Sequence, residues 1–410
     1  MKDIPGLLLD HPSSGPALRV AVVTETYPPE VNGVAMTAQR MVQGLICRYH
    51  QVQLIRPRQN HEEQGESSVS FDEVLVHSVP MPRYQDLRMG LPAKAELLAL
   101  WKRRRPHLVQ VVTEGPLGWS AIAAAKQLRL PVISEFHTNF HAYSRYYGAA
   151  LMSKAIGMYL RWFHNRSHCT LVPTEAVRHE LAGMGIRNLQ VLSRGVDTQL
   201  FHPSRWNKLL RQSWGVSDKR LVVLYVGRIA AEKNLHLLMD AFRQMQIVRP
   251  SMKLVMVGDG PERAKLQAMH PDVIFAGMRM GEDLAEHYAS ADLFLFPSIT
   301  ETFGNVVLEA MASGLPVVAY DCAAAREHIR HGENGLRAAF DDAHDFISKA
   351  QRLGANVDDA RRMGLNARTT AEKIDWNRVH DRFERLISDT VQQWERCHDR
   401  KARLSFVPDL

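Results

Sequence analysis

The chain lays out one pattern twice. Leu18-Arg19-Val20-Ala21-Val22-Val23-Thr24 is an apolar run that reads as a buried first strand. Residues 52–55, 108–113, 132–135 and 169–173 read the same way, with helical stretches expected at 37–48, 93–105 and 117–128. The pattern then restarts at Leu221-Val222-Val223-Leu224-Tyr225-Val226-Gly227. A helix is expected from about 235, then strands at 253–257, 273–276, 293–297 and 317–319. Alternating strands and helices pack as a parallel sheet wrapped by helices, so the chain predicts two α/β halves. The turn-like His202-Pro203-Ser204 suggests a connection near 198–217. Residues 377–400 read as a long charged helix and 404–410 as a loose tail.

A length of 410 residues suits two or three domains, and 45% hydrophobic with 23% charged residues is a globular composition. No apolar run approaches the ~18–20 residues of a membrane span. Leu7-Leu8-Leu9 followed by Asp10 is too little for a signal peptide, so a cytoplasmic protein is expected, with peripheral membrane contact open. Cys47, Cys169, Cys322 and Cys397 are scattered without a C-x-x-C pair, which points to reduced thiols and no metal site. The net charge of +7 favours anionic partners. Nothing matches a nucleic-acid-binding signature, and none is expected as a partner.

The chemistry concentrates in a few loops. Glu301-Thr302-Phe303-Gly304-Asn305-Val306-Val307-Leu308-Glu309 follows a strand-like stretch and runs into a helix-like one. It places one carboxylate on the loop, the other on the helix, and a glycine where helix N–H groups can meet an anion. Arg228 and Lys233, in Gly227-Arg228-Ile229-Ala230-Ala231-Glu232-Lys233-Asn234, also follow a strand end, where open α/β sheets bind ligands. A guanidinium fork and an ammonium suit a diphosphate. Gly33 follows the first strand and would let backbone approach a phosphate; the preceding Asn32 tolerates left-handed geometry. His137 ends an apolar strand, with His141 four residues on. Gly258-Asp259-Gly260-Pro261 lacks the third glycine of a dinucleotide fingerprint and reads as a structural turn.

Together these segments resemble the retaining glycosyltransferases of family 4, whose E-x7-E motif matches Glu301 and Glu309. Residues 227–234 resemble the family's basic phosphate clamp, and Tyr27-Pro28-Pro29-Glu30-Val31-Asn32-Gly33-Val34 its N-terminal glycine loop. Phe136-His137-Thr138-Asn139 resembles the place of its active-site histidine, and Arg194-Gly195-Val196-Asp197 its linker signature. The resemblance implies a GT-B fold: two Rossmann-like α/β/α domains facing a central cleft. Its expected bounds are 1–200 for the acceptor, 201–376 for the nucleotide sugar, and 377–410 for a helix crossing back onto the first domain plus a tail. It implies catalytic roles for His137, Arg228, Lys233 and Glu301. It implies substrate contacts at Asn32, Gly33, Phe303, Gly304, Asn305 and Glu309, with Gly277-Met278 near the base. The activity implied is hexose transfer from a nucleotide sugar, GDP-mannose ahead of a UDP-hexose, to a lipid or glycolipid acceptor. No cofactor and no catalytic metal are implied. Glucosyl, glucuronosyl or sulfoquinovosyl transfer to diacylglycerol is the alternative, ahead of a sugar-nucleotide epimerase or hydrolase. Two basic segments could meet an anionic membrane: Lys102-Arg103-Arg104-Arg105, which could equally be a helix C-terminus, and 143–166.

Overall fold

The computed structural model describes residues 15–30, 32–60, 63–81, 84–137, 150–217 and 220–404. Val31, Thr138, Asn139, His141, residues 143–149 and the 405–410 tail lie outside the described residues, as does the Leu7–Leu9 run. The chain divides into two compact units, Met1–Ser193 with Asn377–Leu410, and Arg194–Trp376.

The first unit holds β1 (Arg19–Val23), β2 (Gln51–Pro57), β3 (Phe71–Val76), β4 (Ser78–Met81), β5 (Tyr84–Gly90), β6 (Leu108–Val111), β7 (Val132–Glu135), β8 (Cys169–Val172) and β9 (Leu189–Val191). Seven of these form a parallel sheet in the order β3-β2-β1-β6-β7-β8-β9, while β4 and β5 pair as a separate antiparallel hairpin. The three valines and one alanine of the β1 run explain themselves: Val20 to Val23 are buried on both faces, as parallel strands require. Helices Gly33–Cys47, Lys94–Arg103 and Pro116–Gln127 connect the strands, and Trp101, Leu97 and Leu117 close the core beneath them. The helix Trp376–Leu404 returns to this unit. There Arg48 pairs with Asp381 at 2.6 Å and lies 3.5 Å from Glu384. Gly44 is where the His380 ring sits; a Cβ there would come within 2.5 Å of it.

The second unit holds β10 (Val222–Val226), β11 (Lys253–Val257), β12 (Ile274–Gly277), β13 (Leu293–Phe296), β14 (Val317–Tyr320) and β15 (Gly335–Ala338). They form one parallel sheet, β12-β11-β10-β13-β14-β15. Strand order reverses between β10 and β13, which opens a crevice at their C-terminal ends, the usual ligand position in such sheets. Residues 198–217, expected to connect the halves, instead pack into this unit. Phe201, Trp214 and Val216 belong to its core, and the helix Lys208–Ser213 lies among them.

Candidate active site

The loops after β10 and β13 meet at the reversal point of the second unit's sheet. Gly227 has φ 155°, and the neighbouring loop crosses it so closely that a Cβ on Gly258 would lie 2.0 Å from the Gly227 carbonyl oxygen. The backbone N–H of Ile229 donates to Asp259 O at 2.9 Å. Gly258-Asp259-Gly260-Pro261 is thus a brace for the 227–233 loop. The buried Tyr225 hydroxyl donates to Arg228 O at 3.0 Å, fixing the same loop from below. Burial first, then the charges of Glu301 and Glu232, hold that phenol well above its ordinary pKa, so it stays a donor.

Arg228 is half-exposed and its guanidinium lies 3.4 Å from Glu232, a buried carboxylate. Lys233 donates through Nζ to Glu301 Oε1, which also accepts from Ser298 Oγ at 2.7 Å. Thr300 Oγ1 reaches Glu232 O at 3.3 Å, so the two loops are tied at a second point. Burial alone would push the Glu301 carboxyl upward. The Lys233 charge and hydrogen bond, the Ser298 hydroxyl and the Arg194 charge outweigh it and hold the carboxyl below its ordinary range. Glu301 is therefore ionised at neutral pH.

Gly304 takes φ 86° at the start of the helix Asn305–Ala312, a left-handed turn that favours glycine. Phe303 is buried behind it, and its carbonyl accepts from Ala324 N at 2.7 Å. Glu309 lies on the same helix and accepts from the Tyr288 hydroxyl at 2.9 Å. The backbone of Gly277, at the end of β12, accepts from Gly258 N at 2.9 Å, and Met278 stands exposed beside it. Arg228, Lys233, Glu301, Phe303, Gly304, Asn305, Glu309, Gly277 and Met278 thus all stand in this one unit.

Two side chains here were not among the expected site residues. Arg194, read only as part of a linker signature, is buried, donates to Asn305 Oδ1 at 3.3 Å and lies 5.6 Å from the Phe303 ring centroid. Ser298 is the second. The Arg-Gly-Val-Asp motif carried a signal for the first: Gly195 is forced by the Trp376 backbone, 2.7 Å from where its Cβ would be, and so aims its neighbour.

In the first unit, Asn32 corrects one expectation. It is extended, with φ −154°, rather than left-handed, and its Oδ1 accepts from Val34 N at 3.0 Å and Ala35 N at 2.8 Å. It is the N-cap of the helix that Gly33 begins, and its amide donates to Thr26 Oγ1 at 2.7 Å. Gly33 is exposed in that first turn. His137 follows β7, with Nε2 2.6 Å from Glu135 Oε2, and Glu135 accepts from Gln110 through its other oxygen. Glu25, after β1, accepts from Gly90 N at 2.6 Å and Leu117 N at 2.8 Å. Burial drives its pKa up to about 7 against those hydrogen bonds. Of the Lys102–Arg105 run, Arg104 pairs with Asp72 at 2.7 Å. Arg105 donates to the carbonyls of Leu128 and Arg129 at 2.8 and 3.0 Å.

Comparison with known proteins agrees with this geometry. Residues 31–200 match the family described as Glycosyltransferase Family 4, and residues 220–356 match Glycosyl transferases group 1. A GDP-mannose-dependent alpha-mannosyltransferase of Corynebacterium glutamicum is 33% identical, over 92% of this chain and 88% of the relative. A sulfoquinovosyl transferase of Arabidopsis thaliana is 30% identical, over 91% of this chain and 74% of the relative. Sucrose-phosphate synthase from Thermosynechococcus elongatus shares the fold, with a TM-score of 0.73 and 19% identity over 91% of this chain and 98% of that one. The chain belongs to glycosyltransferase family 4 and is a nucleotide-sugar-dependent hexosyltransferase of the GT-B fold.

Proposed function

We propose that the protein transfers mannose from GDP-mannose to a lipid-type acceptor, with retention at the anomeric carbon. The observation that carries the reaction is the ionised Glu301 held by Lys233 and Ser298, beside a glycine-started helix and Arg228. The donor reading rests on the 33% identity to GDP-mannose-dependent alpha-mannosyltransferases from three organisms.

Transfer requires stabilising a departing diphosphate and an electron-poor sugar carbon. Arg228 and Lys233 supply fixed positive charge to the diphosphate, and the helix start after Gly304 adds backbone donors. The ammonium of Lys233 has three protons, so holding Glu301 does not exhaust its capacity to donate. Glu301 grips hydroxyls of the sugar, and Glu309, steadied by Tyr288, accepts from the ribose. Arg194 offsets the negative charge that Glu301 and a diphosphate would otherwise bring together. Protein cations carry the charge in this scheme, which asks for no metal. Within the first unit, Glu135 orients the His137 ring.

A second reading is transfer of a hexose from a UDP-hexose to diacylglycerol with release of UDP, favoured by the sulfoquinovosyl transferase relative and by the alpha-monoglucosyldiacylglycerol synthases of Streptococcus pneumoniae and Acholeplasma laidlawii. In either case a lipid acceptor draws the enzyme to a membrane surface. None of the described helices is long and apolar enough to cross one. Thermal shift with GDP-mannose, UDP-glucose and their free diphosphates separates the readings. A ligand at 100 times its Kd adds about 2.7 kcal/mol. Stabilisation by GDP and GDP-mannose, with mannosyl product from a lipid extract, is the expected result. Stabilisation by uridine nucleotides alone would replace it with the second reading.

A further inference from the structure

The first unit carries an exposed aromatic face that the transfer chemistry does not use. Trp162, on the helix Ala150–His164, stacks on Trp119 with ring centroids 6.0 Å apart and planes 13° from parallel. Tyr159 stacks on Trp162 in turn, at 6.3 Å. All three rings are more than a third exposed, and Met158 beside them is 68% exposed. Leu160 and Phe163, on the other side of the same helix, are buried. The core therefore does not explain these outward residues. Burying three aromatic rings and a thioether would release a large apolar area from water.

Charge surrounds that apolar centre. Exposed Lys154 stands one turn before Met158, and exposed Arg166 one turn after Trp162. The Arg166 guanidinium lies 3.6 Å from the Trp162 ring centroid, so cation and ring present together. Lys126 is exposed on the Trp119 helix, two turns on. Trp and Tyr favour the water–lipid boundary because their rings are apolar and their N–H and O–H groups are wet, and cations at the rim meet anionic headgroups.

The placement fits the proposed acceptor. Trp119 lies in the first turn of the helix that follows β6, next to the sheet's strand C-termini. The Tyr159 hydroxyl donates to Glu114 O in the loop just before that helix, at 2.5 Å. This is the edge of the sheet at which His137 also stands. The rival basic cluster is committed elsewhere: Arg104 is paired with Asp72 and Arg105 closes a helix C-terminus.

We propose that the face made by Trp119, Met158, Tyr159 and Trp162, rimmed by Lys154 and Arg166, docks on the surface of an anionic phospholipid bilayer. This deepens the lipid-acceptor reading and rests on it. A polar face of charge alone would give salt-sensitive adhesion, whereas rings plus cations give adhesion that salt weakens and apolar loss abolishes.

Flotation with phosphatidylglycerol-containing vesicles, against pure phosphatidylcholine vesicles, tests it. Wild type should float with the anionic vesicles. Met158→Glu, at a largely exposed position, and Trp162→Ser, as a second variant, should each lower the partition coefficient by about tenfold or more. GDP binding by calorimetry should be unchanged in both, which shows that the protein is folded. Arg103→Ser with Arg104→Ser should float like wild type. Undiminished flotation of Met158→Glu and Trp162→Ser, or loss confined to the Arg103/Arg104 variant, overturns this face. If wild type ignores both vesicles, the docking proposal fails. Hexose transfer to a short soluble acceptor in the same preparation would then show that the transferase reading itself stands.

Discussion

At the scale of the residue, the pair that decides the chemistry is Lys233 with Glu301. Glu301→Gln keeps the shape and the Ser298 hydrogen bond but removes the charge that answers Lys233 and Arg194. We expect turnover to fall by about two to three orders of magnitude, the size typical of one lost electrostatic group. The urea midpoint of unfolding should stay within the range of the wild type, which separates a chemical loss from a folding loss. Near-wild-type turnover would remove Glu301 from the reaction. Lys233→Ala makes a sharper claim, because Glu301 is kept ionised by its cations against burial. Without Lys233 the upward push of burial gains ground, so the carboxyl protonates at higher pH. The acid limb of kcat/KM should therefore move to higher pH in Lys233→Ala, and GDP should bind more weakly. An unmoved acid limb would mean that Lys233 does not set the charge state of Glu301. These residues were legible in the sequence because short, strongly typed motifs sit just after apolar strands. Arg194 was not: its role depends on Phe303 and Asn305, more than a hundred residues away, and only folding brings them to it.

At the scale of the element, continuous apolar runs gave away the central strands, whereas the edges of the first sheet were silent. β3 reads Phe-Asp-Glu-Val-Leu-Val and is mostly half-buried, and β9 is three residues long, so neither shows a run. The β4–β5 hairpin contains a proline and an arginine and packs outside the main sheet. Two connections can be tested by stability. Arg48 joins the end of the helix Gly33–Cys47 to the C-terminal helix, and Glu384 beneath it is buried. Arg48→Ala leaves that carboxylate without its guanidinium and should cost about 3 kcal/mol in urea unfolding, as for other broken buried pairs. A loss under about 0.5 kcal/mol, the surface-pair range, would mean the helix is docked by its apolar face alone. Glu25 ties the end of β5 to the helix Pro116–Gln127 through two backbone N–H groups. Its folded pKa, about 7, lies above the unfolded value of 4.5, so the folded state binds the extra proton between those pH values. Its contribution to stability is thus greatest at acid pH and falls as pH rises from about 4.5 to 7, by roughly 3 kcal/mol in all. His380, pushed down to about 4 by burial, acts oppositely, losing stability as pH falls through 6.5 toward 4. His328 is likewise pushed down to about 4 by burial, so the wild-type curve mixes opposing contributions and the comparison must be with a variant. Glu25→Gln should remove the falling component and leave unfolding free energy rising more steeply from pH 4.5 to 7. Parallel wild-type and variant curves would assign Glu25 an ordinary pKa.

At the scale of the whole molecule, the duplicated strand–helix series foretold two α/β halves, and each half does form its own parallel sheet. What the series could not foretell is how the chain is shared between them. Phe201 and Trp214 bury themselves in the second unit, although the turn residues around them look like a connector. The chain also leaves the second unit at Trp376 within a single helix, with no proline or glycine to mark the point. Burial of large side chains, rather than turn chemistry, decides the ownership of such segments. That division has a consequence for ligand binding. Apart from Gly33, which the sequence offers to a phosphate from the first unit, every residue assigned to the nucleoside diphosphate stands between Arg194 and Trp376, on loops carried by one sheet. GDP binding should therefore raise hydrogen-exchange protection first in the loops 227–234 and 298–305, and in the strands β10 and β13 that carry them. Those loops should respond because binding only the folded form stabilises whatever must open to release the ligand. β2 and β3 of the first unit, which carry none of these residues, should exchange at unchanged rates. Protection that rises equally in β2, β3 and β10 would mean that the nucleotide is held by residues of both units, and the assignment of its site to the second sheet alone would fall.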